Sequence, residues 1–465
     1  MSLIKSISGI RGTIGGNKEE GLNPLSIAKF VTAYATFIKE STKVDAPRIV
    51  VGRDARISGP MVKHIVVGSL MASGCDVIDI DLATTPTTEM AVQHYKADGG
   101  IIITASHNPK HWNALKLLDN NGEFLNDKQG KMVLSMADNE AFNFSEVDKL
   151  GEVVVDEDYT DEHIRQVLDL KIVDQKAIKE AHFKVAVDAV NSVGGIAIPK
   201  LLTALGVEEI VPLNTEPNGN FAHNPEPLPK HLTEICSLVK EQKCDLGVVV
   251  DPDVDRLALV DENGNFFGEE YTLVAVADYI LSVSGAGNTV SNLSSSRALR
   301  DITEKHGGKY SAAAVGEVNV VAEMKRTNAV IGGEGNGGVI YPELHYGRDA
   351  LVGVAIILTM MAKSKQTLSS IRETLPTYFM SKQRVEVPEG TNTIEVLNNF
   401  AEVMKEHHPI TIDGVKIDFE KSWVHVRRSN TEPIIRVYTE APTQKESDDL
   451  ALKFVDKIQE VLKKA

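Results

Sequence analysis

The chain has 465 residues, of which 42% are hydrophobic and 25% charged, and 49 Lys and Arg against 65 Asp and Glu give a formal net charge of −16. A chain of this length is expected to form three or four domains and to bury large cores without disulfides or structural metals. The negative charge argues against nucleic acid or an anionic membrane as the main partner. A local cluster of basic residues would still allow an anionic small molecule to bind.

Cysteine content and hydropathy indicate the cellular compartment in which the protein is expected. The three cysteines, Cys75, Cys236 and Cys244, form no CxxC pair, and their odd number favours buried free thiols in a reducing compartment. The N-terminus lacks the continuous apolar stretch of a signal peptide. The longest apolar run, residues 351–362, has about half the length of a membrane span. These features predict a cytoplasmic protein without a membrane partner.

Three segments repeat one order of predicted elements, namely a strand, a turn, a helix that stops at glycine and a second strand. They are residues 47–83, 183–214 and 288–335. This order is typical of β-α-β units in a parallel or mixed sheet covered by helices. The C-terminal segment instead alternates helices and short strands, as in a small α+β domain. We predict three related α/β domains with mixed sheets and a smaller α+β domain, with bounds 1–155, 156–265, 266–375 and 376–465.

The first candidate site lies where the β-branched run 101–103 ends. Ser106 follows this strand and precedes a polar turn that begins at His107. We expect this serine to be exposed on a rigid scaffold beside hydrogen-bond donors, which suits a nucleophile or a phosphorylated residue, although a simple polar turn is an open alternative. Lys116 lies in the apolar stretch "NALKLL", which is expected to desolvate its amine and lower its pKa. Such an amine is a candidate general base.

The second candidate site is the stretch "DPDVDR", which follows the apolar strand 248–250. Asp251, Asp253 and Asp255 alternate, so their side chains point the same way in an extended chain and a slight bend makes them converge. Clustered carboxylates favour a hard divalent cation, most simply Mg²⁺, and Arg256 could share a phosphate with it. An acidic turn is the alternative. The Asp-x-Asp pattern also suggests a different class, a metal-dependent phosphatase with an Asp nucleophile.

Two loops are candidates for binding a substrate. The glycine-rich stretch "GGEGNGG" presents Glu334 and Asn336, which are suited to hydrogen bonding of sugar hydroxyls, although such a stretch is commonly only a turn. The stretch "VRRSNTEP" concentrates guanidinium, hydroxyl and amide groups, which predicts a phosphate site, with a solvated basic turn as the alternative. Arg11 lies in a third, glycine-flanked loop. Because these sites are spread over four segments, we expect an active site in a cleft where the domains meet.

Together the motifs "TASHNPKHWNALK", "DPDVDR", "GEGNGG" and "RRSNTEP" resemble those of the α-D-phosphohexomutases, a family that includes phosphoglucosamine mutases, phosphomannomutases and phosphoglucomutases. They occur in the family's order across nearly the whole chain. The resemblance implies four domains around a central cleft and a Mg²⁺-dependent isomerase that interconverts hexose 6-phosphate and 1-phosphate. It further implies a phosphoserine, with a hexose 1,6-bisphosphate as intermediate and activator, and a monomer or homodimer.

The resemblance implies a role for each matched residue. The implied catalytic residues are Ser106 as phosphoryl carrier, Lys116 as general base, Arg11 beside the transferring group and His107 as a support. The implied Mg²⁺ ligands are the phosphorylated Ser106, Asp251, Asp253 and Asp255. The implied substrate-binding residues are Arg256 near the metal loop, Glu334 and Asn336 at the sugar hydroxyls, and Arg427, Ser429, Asn430 and Thr431 at the phosphate that does not react.

The sugar loop departs from the pattern of many bacterial members. Asn336 and Gly338 stand where those members have Ser and His, so a His-assisted step is not available here. The stretch "TVSNLSSS" resembles the corresponding stretch of phosphoglucosamine mutases and favours glucosamine phosphate as the substrate. A phosphomannomutase or phosphoglucomutase of broad specificity is the alternative.

Overall fold

A computed structural model describes residues 3–6, 9–16, 20–388, 390–429 and 434–463. The strands in these residues are β1 (Ile4–Ser6), β2 (Gly9–Thr13), β3 (Arg48–Arg53), β4 (Asp76–Leu82), β5 (Gly99–Ile103), β6 (Trp112–Leu118), β7 (Val153–Val155), β8 (Lys184–Asp188), β9 (Glu209–Leu213), β10 (Leu246–Val250), β11 (Leu257–Asp261), β12 (Asn288–Asn292), β13 (Tyr310–Ala313), β14 (Ala329–Glu334), β15 (Gly338–Ile340), β16 (Phe379–Glu386), β17 (Val415–Asp418), β18 (Trp423–Arg428) and β19 (Ile434–Ala441).

The α-helices in the same residues are α1 (Pro24–Thr42), α2 (Gly59–Ala72), α3 (Thr85–His94), α4 (Asp127–Asp138), α5 (Tyr159–Leu168), α6 (Gln175–Ala181), α7 (Gly194–Leu205), α8 (Thr233–Gln242), α9 (Glu269–Ser284), α10 (Ala298–Lys305), α11 (Glu317–Thr327), α12 (Ala350–Ser364), α13 (Leu368–Thr374), α14 (Thr393–Val403) and α15 (Gln444–Leu462). The chain divides into two compact units. The first unit is Met1–Thr272 with Asn336–Arg372, and the second is Leu273–Gly335 with Glu373–Ala465.

The sheet that carries Ser106 is mixed and has the strand order β1-β2-β6-β5-β3-β4-β7. Strand β5 is buried at every position, and its alternate side chains enter two cores. Ile101 and Ile103 pack with α1 and α2 on one face, whereas Ile102 packs with α3 on the other. A run of β-branched residues suits a strand that is covered on both faces, which explains why this apolar stretch ends at a polar loop.

The same strand order recurs along the chain. Strands β3 to β6 have the order β6-β5-β3-β4, and strands β8 to β11 have the equivalent order β11-β10-β8-β9. In the second unit, β14-β12-β13 repeats the parallel part of this order. The predicted β-α-β units are β3-α2-β4, β8-α7-β9 and β12-α10-β13, and each strand pair is parallel. The predicted α/β fold with mixed sheets is therefore confirmed.

The C-terminal sheet is antiparallel, with the order β16-β19-β18-β17, and its buried residues form one core with α14 and α15. Strands β17 to β19 and both helices agree with the predicted α+β segment. Strand β16 was not predicted, because its stretch "MSKQR" lacks apolar alternation. Its edge position explains this polarity, since an edge strand tolerates charged residues and is protected by them from pairing with other chains.

A buried polar network joins three segments of the first unit. Asp349 caps the N-terminus of α12 by accepting a hydrogen bond from Leu351 N at 2.7 Å. Its other oxygen lies 3.0 Å from Nε2 of His163, in α5, and 3.4 Å from Nε2 of His345. The ring of His163 lies 2.9 Å from the hydroxyl of Thr87, in α3. Since these groups are buried, the network fixes α12 relative to α3 and α5.

Asp349→Asn is expected to lower the free energy of unfolding by about 3 kcal/mol, because the buried imidazoles of His163 and His345 lose their carboxylate partner while the helix cap is kept. Burial raises the pKa of Asp349, but His163 and His345 outweigh burial and hold this pKa below its usual range. The charged network therefore stabilises the fold above the ordinary carboxyl pKa of about 3.9, and this contribution is lost as the pH falls through the lower, folded-state pKa. Unfolding midpoints of wild type and variant should differ at neutral pH and converge in acid. A constant difference would contradict this assignment.

Within the described residues no single helix is long and apolar enough to cross a membrane. Helices α12 and α13 reach the required length and composition only as a pair, and the chain bends by 89° between them. Helix α12 is the apolar run noted in the sequence, and twelve of its residues, Ala350 through Met361, are buried in the protein. The prediction that this run forms a core helix is confirmed.

Candidate active site

Ser106 stands at a sharp change of direction after β5. Its backbone has a φ of 48°, a left-handed conformation that is uncommon for a residue other than glycine. Its amide donates to the hydroxyl of Thr104 at 2.9 Å, and its own hydroxyl donates to Oδ2 of Asp251 at 2.9 Å. The side chain is therefore held against the aspartate loop. The exposure expected for Ser106 is wrong, because only 8% of the residue is accessible.

Arg56 organises the loop that carries Ser106, and sequence reasoning missed it. Its guanidinium group is fully buried and pairs with Asp54 at 3.0 Å. Asp54 also accepts a hydrogen bond from the hydroxyl of Thr104 at 2.7 Å. At 2.5 to 3.0 Å the same guanidinium donates to the carbonyl oxygens of Ser106, Asn108, Pro109 and Trp112. One side chain thus fixes the path of the whole loop, and the stretch "GRDAR", which begins in β3, was its only signal in the sequence.

The three alternating aspartates converge as the sequence predicted. Asp251, Asp253 and Asp255 are fully buried, and one carboxylate oxygen of each lies within 4.8 Å of the others. The bend between them is a turn in which Val254 has a φ of 63°. A β-branched residue in this region is strained, and such strain occurs at functional sites where the surrounding structure holds it.

The donor set of this cluster fits a divalent cation. Oδ1 of Asp253 and Oδ1 of Asp255 are buried and have no hydrogen-bond partner among the described residues. Burial raises the pKa of Asp251 well above its usual range, and Asp255 and Asp253 raise it further. A dication would relieve this repulsion and satisfy the two oxygens, and three carboxylates suit a hard ion such as Mg²⁺.

Lys116 reaches the same cluster from β6. Its Nζ lies 2.7 Å from Oδ2 of Asp253 and 3.6 Å from Oδ2 of Asp255. The expectation of a lowered pKa is wrong. Burial lowers the pKa of Lys116, as the apolar stretch suggested, but the two carboxylates outweigh burial and raise it above its usual value. Lys116 therefore holds its proton in this arrangement and neutralises part of the negative charge.

Three further predicted residues contact Ser106, its loop or its partner Asp251. Nδ1 of His107 lies 3.4 Å from this hydroxyl. Nη1 of Arg11 donates to the side chain of Asn108 at 3.3 Å, and Nε of Arg256 lies 3.9 Å from Oδ2 of Asp251. Arg256, burial and Arg11 lower the pKa of His107 well below its usual range. The imidazole is therefore neutral at neutral pH, beside two cationic groups.

A second missed residue is Arg348, which precedes the cap of α12. It is 8% exposed, and its Nη2 donates to Oδ2 of Asp255 at 2.5 Å. The first unit also contains Asn336, whose side chain accepts a hydrogen bond from the amide of Gly338 at 3.2 Å. Lys116, Arg256 and Arg348 therefore all approach the carboxylates of the aspartate loop.

The second unit contains Glu334 and the predicted phosphate loop. Glu334 is buried, and its Oε1 accepts hydrogen bonds from the side chain of Asn292 at 2.8 Å and from the amide of Gly316 at 3.0 Å. Arg427 donates to Asp413 at 3.1 Å. The remaining predicted residues of this loop are Ser429, which accepts from Arg436 at 3.5 Å, and Asn430 and Thr431, which lie outside the described residues.

Arg436 is a further basic group that the sequence reasoning missed. It stands directly opposite Arg427 in the pairing of β18 with β19. Like charges at such a position destabilise a sheet unless an anion compensates them. Asp413 compensates Arg427 in part. The pair therefore places two guanidinium groups side by side in the two central strands of this sheet.

A buried serine beside converging carboxylates, a lysine and several guanidinium groups is typical of an enzyme that transfers phosphoryl groups. Four family models, described as Phosphoglucomutase/phosphomannomutase alpha/beta/alpha domains I, II and III and C-terminal domain, match residues 3–144, 158–264, 268–379 and 383–457. The chain belongs to this phosphoglucomutase/phosphomannomutase family and is an isomerase of the phosphohexomutase class.

Individual relatives match nearly the whole chain. A Phosphoglucomutase/phosphomannomutase of Thermococcus kodakarensis is 37% identical over 97% of this chain and 99% of its own length. A Phosphoglucosamine/phosphogalactosamine mutase of Sulfurisphaera tokodaii is 33% identical over 97% and 98%. Among solved structures, a Phosphoglucomutase/phosphomannomutase family protein of Burkholderia thailandensis has a TM-score of 0.83 at 24% identity, with 97% of each chain covered. That structure supports the fold alone.

Proposed function

We propose that this protein interconverts glucosamine 6-phosphate and glucosamine 1-phosphate through a phosphoserine at Ser106 and a glucosamine 1,6-bisphosphate. The hydrogen bond from the Ser106 hydroxyl to Asp251 carries the proposal, because it joins the carrier oxygen to the aspartate cluster. The sugar is supported by the name of the Sulfurisphaera relative and by the stretch "TVSNLSSS".

The proposed chemistry has two balanced half-reactions. In the first, a sugar hydroxyl forms a bond to phosphorus, the bond from phosphorus to Oγ of Ser106 breaks, and the hydroxyl proton passes in net terms to Ser106. The bisphosphate then turns round, and the second half-reaction returns its other phosphoryl group to Ser106 with the opposite proton movement. Both steps need positioning and neutralisation of charge more than covalent help.

The residues around Ser106 are suited to these tasks. The clamp formed by Arg56 holds the serine loop rigid, so that Oγ keeps its place between half-reactions. We assign Lys116 to proton exchange with the reacting oxygens, starting from its protonated form because its pKa is raised. Arg11 and Arg256 offer positive charge to the transferring group. Neutral His107 lies within reach of Ser106 and supports the loop without adding charge.

Asp251, Asp253 and Asp255 would hold Mg²⁺ together with an oxygen of the phosphoserine. The ion supplies positive charge that stabilises the transferring phosphoryl group. Chelation with EDTA is expected to abolish turnover, and Mg²⁺ should restore it. Mg²⁺ should also raise the unfolding midpoint of wild type, because a ligand that binds only the folded state stabilises it, whereas Asp253→Asn should respond less. If Mg²⁺ left the unfolding midpoint of wild type unchanged, the proposed metal site would be contradicted.

For the rest of the substrate we propose the roles that the motifs predict. Glu334 and Asn336 would bind sugar hydroxyls, and the loop with Arg427, Ser429, Asn430 and Thr431 would bind the phosphate that does not react. We likewise propose domains 1–155, 156–265, 266–375 and 376–465, a division supported by the four matched ranges.

A phosphoglucomutase or phosphomannomutase of broad specificity is the second candidate, favoured by the name of the relative with 37% identity. The two are separated by assays on the 6-phosphates of glucosamine, mannose and glucose, each supplied with its own 1,6-bisphosphate. We expect the largest kcat/KM for glucosamine 6-phosphate. If this sugar were among the poorest substrates while mannose or glucose 6-phosphate turned over, the second candidate would replace the first.

A further inference from the structure

Gly338 and Arg348 occupy one small space near the aspartate cluster. A Cβ atom on Gly338 would lie 2.3 Å from Cδ and 3.0 Å from Cγ of Arg348. Gly338 does not have the positive φ that restricts a position to glycine, so its backbone would accept another residue. The glycine is therefore explained by space, and the space is filled by the stem of Arg348.

The backbone holds both residues in place. Arg348 forms a β-bridge with Ile340, and the amide of Asp349 donates to the carbonyl of Val339 at 2.8 Å. The next residues are anchored because Asp349 caps α12 and contacts His163. The backbone of Arg348 is therefore fixed. Its side chain extends past Gly338 and ends at the carboxylate of Asp255.

At the end of this path Arg348 orients one carboxylate. Its Nη2 lies 2.5 Å from Oδ2 of Asp255, on the oxygen that Lys116 also approaches at 3.6 Å. Oδ1 of Asp255 has no hydrogen-bond partner among the described residues. Nε of Arg256 lies 3.8 Å from this Oδ1, which is too far for a hydrogen bond. The two oxygens of Asp255 are thereby distinguished, since one is held by a hydrogen bond from Arg348 and the other is available to a cation.

We propose that Arg348 is a positioning residue for the metal: it fixes Asp255 so that Oδ1 is available to the ion, and Gly338 is required because any side chain there would displace Arg348. The inference rests on the proposed metal site. It also accounts for the departure in the sugar loop, since a side chain at position 338, such as the His of many bacterial members, and this placement of Arg348 exclude each other.

Charge alone predicts the opposite effect, which makes the proposal testable. Removing a cationic group beside a metal ligand should tighten metal binding if repulsion dominates, and should weaken it if Arg348 positions Asp255. Hydrogen-bond partners of metal ligands typically contribute about 10- to 100-fold in metal affinity. We therefore expect Arg348→Met to weaken metal binding by about 10-fold or more, with Arg348→Lys intermediate because it keeps a donor.

The experiment measures Mn²⁺ and Mg²⁺ binding to the dephosphorylated full-length protein by isothermal titration calorimetry, with folding of each variant checked by circular dichroism. Gly338→Ala should weaken binding like Arg348→Met, and the double variant should be no weaker than Arg348→Met alone. Arg165→Met is the matched control, because this exposed arginine lies on the surface of the same unit and pairs with Glu162 and Asp169. It should bind metal like wild type.

Each result decides the proposal. Unchanged or tighter binding in Arg348→Met, with normal binding in wild type, would overturn the positioning role and leave the metal site intact. A further loss in the double variant would overturn the role assigned to Gly338. Absence of binding in wild type would overturn the proposed metal site and this inference together.

Discussion

Replacement of Ser106 by alanine is expected to reduce turnover by at least about 10³-fold, because it removes the oxygen that carries the phosphoryl group. The hydroxyl is the group that contacts Asp251 at 2.9 Å, so the loss should appear in kcat rather than in KM. The measurement is the rate of glucosamine 1-phosphate formation in the presence of saturating bisphosphate. Ser135→Ala, at an exposed position of α4, is the matched control and should behave like wild type.

The same variant distinguishes a mutase from a phosphatase with an Asp nucleophile. Intact-mass analysis after incubation with the bisphosphate should find one added phosphoryl group in wild type and none in Ser106→Ala, and peptide mapping should locate it on Ser106. A phosphatase would keep an adduct in Ser106→Ala and lose it in Asp251→Asn. An adduct on Asp251 would therefore refute the carrier role of the serine.

Replacement of Arg56 by methionine is expected to lower the free energy of unfolding by about 3–5 kcal/mol, because the change leaves Asp54 buried without its charged partner. Burial already raises the pKa of Asp54, and Arg56 opposes this rise. Four loop carbonyls lose their donor as well. Turnover should fall even at denaturant concentrations at which the variant is still folded, since the loop with Ser106 is no longer fixed. Denaturant titration and kcat measured on the same samples test both effects.

A double-mutant cycle separates the ion pair from the loop clamp. Asp54→Asn alone should be destabilising, but the combination with Arg56→Met should cost less than the sum of the single changes, because no buried charge is left unpaired. Recovery of stability without recovery of kcat would be the signature of a clamp. Additive losses of stability would contradict the pairing of Arg56 with Asp54.

The parts of the fold that could be predicted are those encoded by neighbours in sequence. The apolar run before Ser106 and the alternation of Asp251, Asp253 and Asp255 depend on strand geometry, which has a period of two residues, so the strand and the converging carboxylates followed from the letters alone. Strand β16 did not, because its polar sequence becomes a strand only through pairing with β19 along its full length.

The charges within the site were beyond sequence reasoning because their partners are distant along the chain. The apolar neighbours of Lys116 predicted a lowered pKa, but its closest partner, Asp253, is 137 residues away and reverses the sign. Arg348 stands 93 residues from Asp255, and nothing near Arg348 in the sequence indicates that it pairs with this aspartate. Arg56 binds backbone carbonyls. Every residue has a backbone carbonyl, so the sequence does not indicate which of them this arginine binds.

The central claim is that Ser106 passes its phosphoryl group to a sugar phosphate and takes one back. Its most direct test is a single-turnover chase, in which the protein is loaded with a labelled phosphoryl group on Ser106 and mixed with unlabelled glucosamine 6-phosphate and Mg²⁺. The label should leave the protein and appear in glucosamine 1,6-bisphosphate and then in the monophosphates, at a rate compatible with kcat. Label that stays on the protein, or that appears only as inorganic phosphate, would contradict the account.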